Sequence, residues 1–496
     1  MLKADFGDNY RDLLLEPSWH LRNRPLGVSQ GVLSSDANNG TVSAMAGFEA
    51  IGPYDAQLAV LARRPDGSVH SHTFTNRTFS CLYVRRALRS LHKTDRDAFL
   101  DGMQAMIEVG QAEGQAKYGI DFRPLDHFAR VHLRGAGGRV SDHMHDGMGF
   151  LTQHAALTSE FELSLQSVAK TLAVPYWDFT YEGNLVRDAG TLQAAWNTPL
   201  WSDGSALHQD GSLAWFGEAR KSHHAVINGR FAYQTVTRDP SYEVHNAYGY
   251  LRAPWNVNKS PYVTRVHQMC GNTLEDANEH EFKWPTCASH YNLTFDDKYD
   301  SWYEYVWEAS YRPHGPVHLM IGGYGNCDAQ LSALGEGDNA LPKSLVDKLK
   351  WYPFKYVKDA WRNSLTNSPS FCTMDTPQDE CHMQCSGNVS DVQWLGSAIG
   401  PPAGWVGDWV FFLDDATSKR VVQATLCETP FILGEQVESG SPVDASFWPI
   451  HPTMDRLLQY KRLTNDFSFG NWSARFGPTM YCITKQCQGH HGYDLT

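Results

Sequence analysis

His143-Met144-His145-Asp146-Gly147-Met148-Gly149-Phe150-Leu151-Thr152-Gln153-His154 is the stretch that decides how this chain is built. Gly147 and Gly149 break any continuous helix between His145 and His154. One histidine therefore falls on a loop and the other on the first turns of a helix. That helix is expected over residues 151–169, because Leu157, Phe161, Leu165 and Val168 form one apolar stripe, with Glu160 and Glu162 off it. His143 competes with His145 for any role on the loop.

Further along, His314-Gly-Pro-Val-His318 sets two imidazoles four residues apart, on one face of a helix expected to begin near Pro316. Proline is tolerated there, since a first-turn amide has no partner in the helix. His451 stands at the expected N-cap of a fourth helix, which Pro452 opens and Leu457, Leu458 and Leu463 continue. Upstream, Thr94-Asp-Arg-Asp97 reads as a helix start, followed by Phe99, Met103, Met106 and Ile107 at helical spacing. Residues 1–78 carry short alternating runs, among them Gln57–Leu61 and Ser71–Phe74, and read as strands and turns. Residues 180–300 are weakly periodic and read as elaborated loops. Residues 323–445 hold five of the ten cysteines and read as a disulfide-stapled insertion.

Taken together, these elements resemble the tyrosinases and catechol oxidases, the type-3 binuclear copper proteins. The first copper segment is matched by Phe128-Ala-Arg-Val-His132, by His145 and His154 nine residues apart, and by Pro175-Tyr-Trp-Asp178. The second is matched by His314, His318 and Gly322-Gly323, and by Asp444-Ala-Ser-Phe-Trp-Pro-Ile-His451 with Asp455-Arg456. The resemblance covers about residues 80–460. It implies a mainly α fold, an antiparallel four-helix bundle holding two copper ions, with long loop insertions and a small β-rich N-terminal extension. The domains expected are that extension (1–79), the dicopper domain (80–480, insertion 323–445) and a tail (481–496) bearing Cys482 and Cys487. The ligands implied are His132, His145, His154, His314, His318 and His451, with His143 a rival for His145 and His127 a weaker one for His132. Six imidazoles with no carboxylate or thiolate suit copper better than non-haem iron or structural zinc.

The implied activity is oxidation of o-diphenols to o-quinones by O2, with monophenol hydroxylation as a second activity. The alternatives left open are a haemocyanin-like oxygen carrier and a related aminophenol oxidase, phenol-coupling enzyme or halogenase, because fold and ligands do not separate them. Three positions bear on the choice. Many family members carry a thioether-linked Cys where this chain has His143. Tyrosinases often place an Asn where it has Gly315, which leaves a phenol-deprotonating water one partner short. Glu308 is the expected carboxylate partner of that water, and Phe447 the expected pocket aromatic. These departures favour catechols over monophenols.

A formal charge of −13 argues against nucleic acid as a partner. No apolar run is long enough to cross a membrane. The ten cysteines, all expected in disulfides, and sequons at Asn39, Asn76, Asn258, Asn292, Asn388 and Asn471 point to the secretory pathway. No signal peptide begins the chain, so one is expected to have been removed.

Overall fold

Strict alternation shapes the N-terminal strands. The computed structural model describes residues 2–5, 14–23, 29–30, 32–38, 41–46, 48, 50–140, 142–145, 148–203, 213–219, 224–271, 283–386 and 413–468. These fall into two units, Met1–Val84 and Arg85–Thr496. In the first, β1 (Leu2–Asp5), β4 (Val32–Asn38) and β5 (Thr41–Ala46) form an antiparallel sheet of order β1-β5-β4. The second sheet joins β2 (Leu14–Asn23), β3 (Ser29–Gln30), β6 (Gly52–Arg63) and β7 (Val69–Cys81) in the order β3-β2-β6-β7. Along β6, Tyr54, Ala56, Leu58, Val60 and Ala62 are all buried. That period of two seals one face and fixes the register, with Leu14 opposite Arg63 and Asn23 opposite Tyr54.

The second unit is mostly helical. α1 (Lys93–Glu108) is capped by the His92 ring, which accepts from the Thr94 amide, and carries Asp95 near its positive end. α2 (Leu125–Ala136) buries Leu125, Phe128, Ala129, His132, Leu133 and Ala136, so its histidine shares the core-facing stripe. α3 (Phe150–Val168) starts directly after the two glycines and packs against α1. Glu162, expected off its apolar stripe, is buried, because Arg85 Nε donates to it at 2.7 Å while Arg85 also reaches Asp455 at 3.1 Å.

The segment before His318 holds more helix than the sequence suggests. α4 (Trp302–Ala309) runs ahead of it, capped by Ser301, whose hydroxyl accepts from the Glu304 amide. A wider turn, Ser310–His314, then leaves helical geometry at Arg312, and α5 (Gly315–Gly322) follows. Gly322 and Gly323 are required by close approach: a Cβ on Gly322 would lie 2.9 Å from the Val437 nitrogen, and Gly323 adopts φ +67° against the Gln268 carbonyl. α6 (Pro353–Arg362) lies in the expected insertion, and α7 (His451–Thr464) packs on α3. Ile450, not His451, is the N-cap of α7, and His451 is its first residue.

The Pro175–Asp178 motif earns its place by docking that last helix. The Trp177 amide donates to the Pro449 carbonyl at 2.8 Å, and the Thr453 hydroxyl returns a bond to the Trp177 carbonyl at 2.5 Å. Beneath them, Phe161 stacks on Trp448 at 3.7 Å and Phe128 meets Trp448 edge-on.

Two expectations are corrected. Among the described residues, disulfides join Cys270 to Cys327, Cys372 to Cys381 and Cys385 to Cys427, while Cys81 and exposed Cys287 carry free thiols. Cys482 and Cys487 lie outside the described residues. The Asn258 sequon is also buried: its amide donates to the Thr264 hydroxyl at 2.8 Å and its side-chain oxygen accepts from the Ser260 amide at 2.9 Å. It is a turn-forming asparagine with no room for a glycan. Asn292 is exposed, whereas Asn39, Asn388, Asn471 and the Asn76 side chain are outside the described set.

Candidate metal centre

Four helices, one loop and one wide turn bring six histidines together. His132 comes from α2, His154 from the first turns of α3 and His145 from the loop between them; the potential ligand atoms of the three lie within 4.8 Å of one another. His314 closes the wide turn before α5, His318 sits one turn into α5 and His451 opens α7, and these three meet the same criterion. The two groups touch through His154 and His451, whose rings stack at 4.1 Å.

Hydrogen bonds fix which nitrogen of each ring is available. A carbonyl oxygen only accepts, so a ring nitrogen bonded to one must carry the proton. His132 Nδ1 donates to the Ser439 carbonyl at 2.7 Å and His154 Nδ1 to that of Phe150 at 2.8 Å. His314 Nδ1 donates to the Ser310 carbonyl at 3.1 Å and His318 Nδ1 to that of Gln436 at 2.8 Å. Every Nε2 in this set is left with a lone pair, and those of His132, His154, His314, His318 and His451 are buried with no hydrogen-bond partner. Five orphaned acceptors in a protein core would be costly unless something electron-poor sat among them.

Burial also keeps the rings neutral. It lowers His132 to about 3, with His145 adding to the effect, and His318 to about 4. The same cause, followed by neighbouring histidines, puts His154, His314 and His451 well below their ordinary value. Imidazoles gathered three to a group, with no carboxylate in either group, are the donor set that copper favours. These residues fit two copper ions, three histidines to each.

The rivals separate cleanly. His143 is exposed beside the loop, and its amide donates to the Gly135 carbonyl at 2.9 Å. His127 is half-buried edge-on to Phe128, apart from both groups. A cavity of about 120 Å³ opens beside His145, His314 and His318, walled by Trp255, Leu319 and Phe354. Gly315 lines it.

Two expected pocket residues do not line it. Phe447 is fully buried beneath the histidines, its ring 4.4 Å from His451 and 5.6 Å from His132, so it is packing for both groups. Glu308 faces Arg312 at 3.6 Å and Tyr299, whose hydroxyl is pushed up to about 12 by burial and then by that carboxylate.

Sequence reasoning missed Asp142, which accepts from His145 Nδ1 at 3.1 Å. It also missed the carbonyls of Gln436 and Ser439, which lie in the segment read as insertion. Asp142 was findable as an Asx residue three before a ligand; backbone carbonyls from a distant segment carry no sequence signal.

The profile of the common central domain of tyrosinase matches residues 123–399. No curated protein matches the chain significantly.

Proposed function

We propose that this chain, which belongs to the tyrosinase family, is an oxidase of o-diphenols that works with two copper ions and molecular oxygen. The observation that carries the reading is the pair of three-histidine groups, in which His132, His154, His314 and His318 each turn a buried, unpartnered Nε2 inward. When bound there, a copper pair supplies the transfer of electrons from the phenol to oxygen.

The remaining work belongs to the chain's own residues. Trp255, Leu319 and Phe354 form an apolar slot beside His145, His314 and His318. At about 120 Å³ it is somewhat smaller than the cavity of about 150 Å³ that holds benzene, so it would admit part of one aromatic ring. The ring would be held with its hydroxyl edge toward the histidines, and the buried walls exclude water from that edge. A catechol loses two electrons and two protons to become the quinone, and two catechols reduce one O2 to two waters. Gly315 offers no side-chain amide at the slot, and Glu308 does not line it, which supports catechols over monophenols as substrates.

α2, α3, α5 and α7 are read as the four-helix bundle of the family, supported by the packing of α3 on α7 and by the ligands each contributes. The three disulfides support an oxidising compartment. The test is copper analysis joined to oxygen uptake on a catechol, a monophenol and an o-aminophenol. Two coppers per chain with the catechol fastest is the expected result. Zinc or iron at full occupancy, or two coppers with no oxygen consumed on any substrate, would overturn it.

A further inference from the structure

The six histidines are not held alike. Four of them, His132, His154, His314 and His318, donate Nδ1 to backbone carbonyls, and neither nitrogen of His451 has a partner. Only His145 is held by a charged side chain. Its Nδ1 lies 3.1 Å and 3.2 Å from the two carboxylate oxygens of Asp142. Asp142 is itself almost fully buried, and Oδ1 accepts from the Met144 and His145 amides at 3.0 and 2.9 Å. Lys358 Nζ lies 3.3 Å from Oδ2, and Arg362, one turn further along α6, lies 3.7 Å from it.

We propose that Asp142 is a positioning residue that makes the first histidine group the stronger copper site. The reasoning starts from the loop. His145 has no helix to set its ring, and 26% of its side chain remains exposed. A carboxylate on Nδ1 fixes both tautomer and ring direction, and turns the Nε2 lone pair toward His132 and His154. The anion also draws on the Nδ1 proton and so raises the donor strength of Nε2, as carboxylate–histidine pairs do at other metals. Lys358 and Arg362 offset the cost of burying that charge. Since Lys358 also lines the cavity, the support of this ligand reaches the substrate slot. The second group has no such anion, so the two coppers are held unequally.

This inference rests on reading the two groups as copper sites, and its test separates the two ideas. In copper-free protein, ring 15N chemical shifts should show His145 with its proton on Nδ1. In Asp142→Asn, which keeps the size and the amide-capping oxygen, that preference should fall away. Competition with a chelator should then show one of the two coppers weakened about tenfold to 100-fold, and the other within about twofold of wild type. Wild-type His145 protonated on Nε2 would overturn the proposal even if the variant failed to fold. Unchanged copper affinities in Asp142→Asn, or equal weakening of both coppers, would also overturn it. A wild-type protein that takes up no copper would instead defeat the proposed function, leaving the tautomer measurement to decide the role of Asp142.

Discussion

The carbonyl oxygens of Gln436 and Ser439, three residues apart in one turn, each accept an Nδ1 proton, from His318 and His132 respectively. One short segment thus orients a ligand in each histidine group. It is clamped on both sides by buried ion pairs: Arg252 donates to Glu435 at 2.7 Å, and Arg265 makes a forked contact with Asp444 at 2.7 and 2.8 Å.

Breaking that clamp should disturb both groups together. Asp444→Ala leaves Arg265 buried without its partner, at a cost of about 3–5 kcal/mol. Chemical unfolding should show that loss, and copper uptake should fall for both sites in parallel. Replacing Arg265 by Met as well should recover part of the stability, because the stranded charge is then gone. Full copper binding in Asp444→Ala would mean that the segment holds its place without the ion pair.

Gly315 has helical backbone angles, and a Cβ at this position would meet one atom, the Ser310 carbonyl oxygen at 3.3 Å, a tight contact that a shift of a few tenths of an ångström would relieve. Gly315→Asn should therefore fold and should place an amide at the slot. One added hydrogen bond of about 0.5–1.5 kcal/mol predicts a threefold to tenfold gain in monophenol rate with the catechol rate little changed. Glu308→Gln, by contrast, should alter both rates by less than about twofold, since Glu308 faces Tyr299 and Arg312. A selective loss on the monophenol would restore Glu308 as the base.

Acid should destabilise the copper-free protein. Burial holds His132 near 3 and His318 near 4, while the unfolded chain protonates its histidines near 6.5. As pH falls from about 6.5 to about 4, the unfolded state binds more protons than the folded one, so stability drops. Each such histidine contributes up to about 1.4 kcal/mol per pH unit. Melting temperatures at pH 7, 5.5 and 4.5 should decline, less steeply in His318→Leu. A flat profile in the wild type would show that these rings are solvated.

Thiol labelling of the native protein should modify Cys287, which is exposed, ahead of Cys81, which is half-buried. Cys270 and Cys327 should stay unlabelled until reduced. Labelling of Cys270 without reductant would contradict the pairing.

Two of the ligand-bearing helices were legible in their own spacing, Leu157 with Phe161 and Leu165, and His314 with His318, whereas Leu125–Ala136, which carries His132, was not read as a helix and His132 entered only through the family motif. Local order also located His154 and His451, since Gly149 and Pro452 mark where a helix can start. The helix before His314 was less legible, because Trp302–Ala309 ends in a turn whose break at Arg312 hides the continuity.

What the sequence by itself determined was the helix bearing His154, the i,i+4 pair His314 and His318 and the helix that Pro452 opens after His451, since residue type and periodicity are local properties, while His132 and the choice of His145 came through the family motif. Between His143 and His145 the nine-residue step to His154 favoured the latter, and the folded chain sets His145 beside His132 and His154 while His143 is exposed. Only the tertiary structure decided that Phe447 lies buried against the histidine rings, that Glu308 lies against Tyr299 and Arg312 and that Cys270 pairs with Cys327. The same holds for the partners of the rings, Asp142, Gln436 and Ser439. Two of these are backbone carbonyls about 120 and 300 residues from the histidines they orient. A carbonyl is common to every residue, so only the folded path of the chain selects which one a buried N–H will meet.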